Sequence, residues 1–217
     1  HSVRSVLRRR DFNLQALSLC ASGLSPAVLR AAERKTMLIV GDSLSAEYGI
    51  ARGSGWVALL AAQLAKDKPQ WQVVNASISG DTTAGGLARL PALLQKHQPA
   101  LVVIELGGND ALRGFSLKMT EGNLTGMISA SQKIKASVLL IGMQVPPNYG
   151  TAYAQDFSRM FQTISQKQKI SLVPFLLKGI ADATDPTVLF QADRIHPKAE
   201  AHPQILANVW PVLKKML

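Results

Sequence analysis

From residue 37 onward the chain alternates short runs of β-branched and aliphatic residues with longer stretches whose apolar residues recur at helical spacing, and that alternation admits few folds. Strands are expected at 37–40, 72–75, 101–106, 138–143 and 170–174. Helical periodicity falls around 56–65, 82–96, 123–135 and 153–168, and 203–217 supplies a closing helix in which Pro211 introduces a kink. Strands separated by helices are βαβ units, and their right-handed crossovers put helices on both faces of a parallel sheet. The expected fold is therefore a flavodoxin-like three-layer α/β/α domain with a five-stranded parallel sheet, running as one domain from 33 to 217 without a repeat or linker. In such a sheet ligands bind beyond the carboxyl ends of the strands, so function is sought in the segments that follow each strand.

Charge and cysteine usage remove several classes. The net charge of +10 raises the question of nucleic acid, but residues 1–32 carry five of the 24 basic residues against one of the 14 acidic ones. The remaining +6 is scattered without a basic stripe, so no nucleic-acid partner is expected. The single cysteine, Cys20, excludes an intrachain disulfide and a cysteine-based zinc site. No apolar run approaches the ~18 residues of a membrane-spanning helix, and no span is expected in the mature form.

Residues 1–32 differ in character from the rest. Arg8-Arg9-Arg10, then Asp11-Phe12-Asn13-Leu14 and a mildly apolar stretch over 14–29, resemble a twin-arginine export signal. A general secretory signal is the close alternative, with cleavage after Ala27 or at Ala31-Ala32; an amphipathic helix belonging to the domain is the other way to read the segment. Leu19 before Cys20 weighs against lipidation, since a small residue belongs there. The expected destination is the periplasm or the exterior of a bacterial cell.

Three small polar segments follow the first three strands: Gly41-Asp42-Ser43-Leu44-Ser45, Ser77-Ile78-Ser79-Gly80-Asp81-Thr82 and Gly107-Gly108-Asn109-Asp110. A structural turn needs only one or two such residues. The glycine patterns of phosphate and dinucleotide loops are missing, as is the second glycine of a Gly-x-Ser-x-Gly elbow, and no histidine pairing suggests zinc. Ser43 needs a base to become nucleophilic, and histidine suits that task near neutrality. Among four histidines, His196 alone has a carboxylate, Asp193, three residues upstream; a helical turn between them would put both side chains on one face. Alone, such a pair is commonly a surface pair; beside three convergent loops it points to acyl-transfer chemistry.

With these residues in view, the sequence resembles the SGNH or GDSL hydrolases, and within them the bacterial thioesterase I, arylesterase and lysophospholipase group. The four blocks stand in order: Gly41 to Ser45, Ala76 to Thr82, Glu105 to Asp110, and Asp193-Arg194-Ile195-His196-Pro197. The resemblance implies Ser43 as nucleophile, His196 as base and Asp193 as its orienting acid. It also implies an oxyanion hole made of the Ser43 and Gly80 N–H groups and the Asn109 amide, with Asp42 and Asp110 tying loops through backbone N–H groups. It likens 111–115 to a loop near the acyl site and 146–150 to a substrate-side loop. Glu47 and Arg194 depart from the pattern, each standing where glycine is common, and both bear on substrate access.

Trp56 and Trp71 fit core positions. Tyr48, Leu112, Phe115, Pro146 and Tyr149, on loops beside the motif blocks, are the acyl-pocket candidates. The leading expectation is an exported monomeric serine esterase or thioesterase acting on acyl esters, acyl thioesters or lysophospholipids, without cofactor or metal. A carbohydrate or cell-wall deacetylase on the same scaffold is the second enzyme class, and a non-catalytic flavodoxin-like binding module, with Asp42 as phospho-acceptor or ligand contact, is the third possibility.

Overall fold

The computed structural model describes His1 and residues 34–217; most of the segment expected to be an export signal, including Cys20, lies outside the described residues. Five strands form one sheet: β1 (Lys35–Gly41), β2 (Trp71–Asn75), β3 (Leu101–Glu105), β4 (Ser137–Ile141) and β5 (Ser171–Val173). Every pairing is parallel, and the spatial order is β2-β1-β3-β4-β5. This is the flavodoxin-like order, whose direction of winding reverses between β1 and β3. Residues 37–40 and 101–104 are wholly buried. A central strand covered on both faces has no solvent side, which is why these segments read as unbroken apolar runs rather than alternating ones.

The crossovers are α1 (Trp56–Asp67), α2 (Thr83–His97), the short α3 (Gly108–Leu112), α4 (Leu117–Lys133) and α5 (Thr151–Gln168), and the chain closes on α6 (His202–Leu213). One layer joins α1 to α6; the other joins α2, α4 and α5 in succession. Trp56 and Trp71 are both core residues, the first fully buried at the start of α1. No helix among the described residues is long and apolar enough to cross a membrane.

Several boundaries differ from expectation. Helix α4 begins six residues before the apolar periodicity does, because the Ser116 side chain accepts the Met119 N–H and caps a start, Leu117 to Gly122, in which Lys118, Thr120, Glu121 and Gly122 interrupt the apolar pattern. Strand β1 begins two residues early, at exposed Lys35, where pairing with Trp71 extends the ladder beyond the core. Helix α6 runs past Pro211 to Leu213 and tightens into a 3₁₀ turn over Lys214–Met216; so near the end, the missing proline N–H removes only one late bond.

Candidate active site

Strands β1 and β3 end side by side at the switch point, and the loops that leave them meet there. Beyond Gly41 the chain turns sharply: Asp42 Oδ1 accepts the Leu44 N–H at 3.0 Å, and the Asp42 carbonyl accepts the N–H groups of Ser45 and Ala46. The turn leaves Ser43 half-buried and facing a cavity of about 660 Å³. That volume lies in the range of ~300–1,000 Å³ usual for small-molecule sites.

The turn is held from below by Glu105, the last residue of β3. Glu105 is fully buried, and its Oε2 accepts from Ser45 Oγ at 2.7 Å and from the Asp42 N–H at 3.3 Å, while Trp56 Nε1 donates to the same Ser45 hydroxyl at 3.2 Å. A Cβ on Gly41 would come within 2.7 Å of Glu105 Oε2, so this close approach requires glycine. Burial, and after it the Asp42 charge, hold the Glu105 carboxyl well above the usual carboxylate range. Burial likewise pushes Asp42 up to about 6, opposed by the Leu44 N–H, by His196 and by the Asn109 amide. A sequence scan for reactive residues passes over Glu105, Ser45 and Trp56 as supports for the nucleophile; the detectable signal was an acid ending a strand that is otherwise apolar.

His196 approaches from the far end of the chain. Its Nε2 lies 2.9 Å from Ser43 Oγ, and its Nδ1 lies 2.7 Å from Asp193 Oδ2. The turn between Asp193 and His196 is not helical. Arg194 has a left-handed φ of +57°, and Asp193 Oδ1 accepts the N–H groups of Ile195 at 2.9 Å and His196 at 3.0 Å, so the acid folds its own loop and meets the imidazole with its second oxygen. Desolvation raises the Asp193 pKa, but the His196 N–H, the imidazole and the Ile195 N–H outweigh it and hold the carboxyl down at about 2. An acid that stays ionised is suited to orient a base. Gln191 fastens the loop by donating to the carbonyls of Tyr48 at 2.9 Å and Pro197 at 3.0 Å.

His202 has a separate task. Its Nδ1 accepts the Trp56 N–H at 3.0 Å, serving the start of α1 where Gly55 offers no side chain, and burial lowers its pKa, which favours the neutral acceptor.

The candidate oxyanion donors are brought to the same place. Among the described residues, neither the Ser43 nor the Gly80 N–H has a protein acceptor. The loop after β2 is drawn to the nucleophile turn by the Ile78 N–H, which donates to the Gly41 carbonyl at 3.0 Å. Gly80 there adopts φ +78° and is exposed. Asn109 lies in α3, and its Nδ2 donates to Asp42 Oδ2 and to the Asp81 carbonyl, both at 3.0 Å. Both of its hydrogens thus have acceptors, and the amide can serve an oxyanion only by sharing one of them. Asp110 accepts from the N–H of Thr83 at 2.9 Å and from its hydroxyl, which fits the expected loop-tying role.

The cavity also receives Leu112, Pro146 and Tyr149, three of the five acyl-pocket candidates, together with Met143, Val145 and Phe190. Tyr48 and Phe115 do not line it. The Tyr48 ring lies against His196 with centroids 4.3 Å apart, because the Gln191 bond to its carbonyl draws that turn toward the histidine loop. Phe115 is held beyond α3 by its N–H bond to the Asp110 carbonyl.

A hydroxyl, an imidazole and a carboxylate in hydrogen-bonded sequence, set at the switch point of a 2-1-3-4-5 sheet and open to a largely apolar cavity, define a hydrolase suited to acyl transfer. The comparisons with known proteins agree: the model of the GDSL-like Lipase/Acylhydrolase family matches residues 39–203, and the chain belongs to that family. It is 50% identical over 202 residues to the esterase TesA of Pseudomonas aeruginosa, covering 92% of this chain and 99% of that protein. To thioesterase 1/protease 1/lysophospholipase L1 of Escherichia coli (strain K12) it is 44% identical over 180 residues, covering 81% and 82% of the two chains. A crystal structure of TesA superposes with a TM-score of 0.80 at 51% identity, covering 84% of this chain and all of the other. The chain is accordingly an SGNH-type hydrolase, and the non-catalytic module is set aside.

Proposed function

We propose that the chain hydrolyses acyl esters, acyl thioesters or lysophospholipids through a covalent acyl-Ser43 intermediate. The observation that carries this is the continuous line from Ser43 Oγ to His196 Nε2 at 2.9 Å and from His196 Nδ1 to Asp193 Oδ2 at 2.7 Å. Ser43 Oγ attacks the carbonyl carbon while His196 Nε2 takes the hydroxyl proton. The negative oxygen that forms is stabilised by the Ser43 and Gly80 N–H groups and by a shared hydrogen of Asn109. As the tetrahedral species collapses, His196 returns the proton to the departing alcohol or thiol. A water deprotonated by the same imidazole attacks the acyl-Ser43 carbonyl, and His196 returns that proton to Ser43 Oγ as the bond to the acid breaks. Asp193 holds the Nδ1 hydrogen throughout and keeps the ring oriented.

Leu112, Val145, Pro146 and Phe190 give the acyl portion an apolar wall. Hydrolysis of p-nitrophenyl esters of increasing chain length, acyl thioesters and lysophospholipids, set beside acetylated saccharides, tests the substrate class. Activity confined to the saccharides would replace this reading with that of a deacetylase. Ser43→Ala and His196→Ala should each cost on the order of 10⁶ in turnover.

The enzyme is further proposed to act as a monomer after export; Arg9-Arg10 and the apolar stretch behind them support the export part of this reading. Replacing both arginines with lysine should leave precursor in the cytoplasm; normal export of that variant would favour the general secretory route.

A further inference from the structure

The left-handed backbone of Arg194, at φ +57°, is a conformation that glycine adopts freely and a bulky side chain does not. This arginine lines the cavity, and among the described cavity residues it is the only lysine or arginine. Its guanidinium has no hydrogen-bond or ion-pair partner among the described residues. The adjacent Asp193 is occupied instead, one oxygen taken by two backbone N–H groups and the other by His196. A permanent cation without an ion-pair partner among the described residues thus lines a cavity of mixed apolar and polar walls, in a backbone conformation that disfavours it.

Its place in the cavity wall beside Ile195 and His196 bears on which part of a substrate it meets. The departing atom must receive its proton from His196 Nε2, and so leaves on the side of the loop that carries His196. Arg194 is two residues away in that loop, while Leu112, Val145 and Pro146 of the acyl wall come from other segments and Phe190 lies at the base of the loop, bridged to Pro197. We propose that Arg194 forms an anion subsite for the leaving group, selecting acyl substrates whose alcohol or thiol portion bears phosphate. A planar guanidinium matches two phosphate oxygens at once. This specificity rests on the hydrolytic assignment made above.

Two matched pairs of substrates test it and separate the sources of phosphate. The first is octanoyl-coenzyme A against the octanoyl thioester of N-acetylcysteamine; the second is a lysophosphatidic acid against the monoacylglycerol of the same chain. Arg194→Asn tolerates the left-handed backbone and removes the charge, whereas Arg194→Gly removes the charge and relaxes the backbone. In both variants the ratio of kcat/KM for the phosphate-bearing to the phosphate-free member should fall about threefold to tenfold, as expected for one partly exposed charge contact. The wild-type ratio should fall as salt is raised from about 0.05 to about 0.5 M, and the variants' ratios should change less. A shift in the thioester pair alone assigns the subsite to a nucleotide-bearing thiol, and a shift in the lipid pair alone assigns it to a headgroup. Unchanged ratios in Arg194→Asn, or a shift in Arg194→Gly alone, would overturn the proposal. Failure of the wild type to hydrolyse either phosphate-free substrate would instead count against the hydrolytic assignment.

Discussion

Replacing Asn109 with alanine removes a single amide whose two hydrogens are committed to Asp42 and to the Asp81 carbonyl, so its effect on rate and on stability can be worked out separately. An unencumbered oxyanion donor contributes about 10²–10³ in kcat. Because Asn109 must share a hydrogen, the loss should lie near the lower figure, about 10², with KM little changed. The stability effect comes from Asp42, which is 2% exposed and loses one of its donors. Stripping a partner from a buried acceptor costs about 1–3 kcal/mol, or about 2–12 °C in Tm for a domain of this size. The Asn109 bond favours the ionised form of Asp42, whose pKa stands at about 6. The stability loss should therefore be larger at pH 8 than at pH 5, where Asp42 is largely protonated in both proteins. The assay is steady-state hydrolysis of a p-nitrophenyl ester well below the Tm, normalised to sites titrated with a fluorophosphonate, beside melting curves at both pH values. A folded variant with wild-type kcat per titrated site would refute the oxyanion role; activity lost only in proportion to titratable sites would reduce Asn109 to a tie between loops.

The carboxyl of Glu105 gives a pH signature in stability. Because burial raises its pKa in the folded state, the native protein keeps a proton that the unfolded chain has released above pH 4.5. That contribution is present below the unfolded value and is lost as pH rises, so urea unfolding at pH 5 and pH 8 should show the isosteric Glu105→Gln gaining stability relative to wild type at the higher pH. Equal pH slopes for the two proteins would contradict the buried, proton-retaining acid. A Cβ at Gly142 would lie 2.3 Å from the backbone carbonyl oxygen of Pro174, which cannot swing aside like a side chain. Gly142→Ala should cost about 1–3 kcal/mol or more, and a wild-type urea midpoint would show that the β4 and β5 ends can part without penalty.

Periodicity was sufficient for the sheet because its central strands carry an extreme pattern: residues 37–40 and 101–104 are apolar without interruption, as double-sided burial demands. It failed at the start of α4, where a Ser116 cap and polar first turns determine the boundary. Residue types and their order along the chain point to Ser43, His196 and Asp193, which the fold brings into hydrogen-bonding distance, but they do not fix the backbone between Asp193 and His196. The three-residue spacing fits a helical turn as well as the observed one, and only the left-handed Arg194 distinguishes them. Tyr48 and Phe115 stand outside the cavity lining for a related reason: proximity to a motif in sequence does not say which way a loop side chain turns. Glu105 escaped notice because its role is to support Ser45 and Asp42 from another strand, a relation spanning some sixty residues that no local pattern contains.

If His196 makes Ser43 nucleophilic, Ser43 is open to covalent capture. The intact protein is treated with a fluorophosphonate, weighed by mass spectrometry and digested to locate the adduct, alongside Ser43→Ala and His196→Ala. One adduct per chain on Ser43, none on Ser43→Ala and greatly slowed labelling of His196→Ala is the predicted result, given the 2.9 Å contact between the imidazole and the hydroxyl. Full labelling of Ser43→Ala, or labelling of His196→Ala at the wild-type rate, would contradict it.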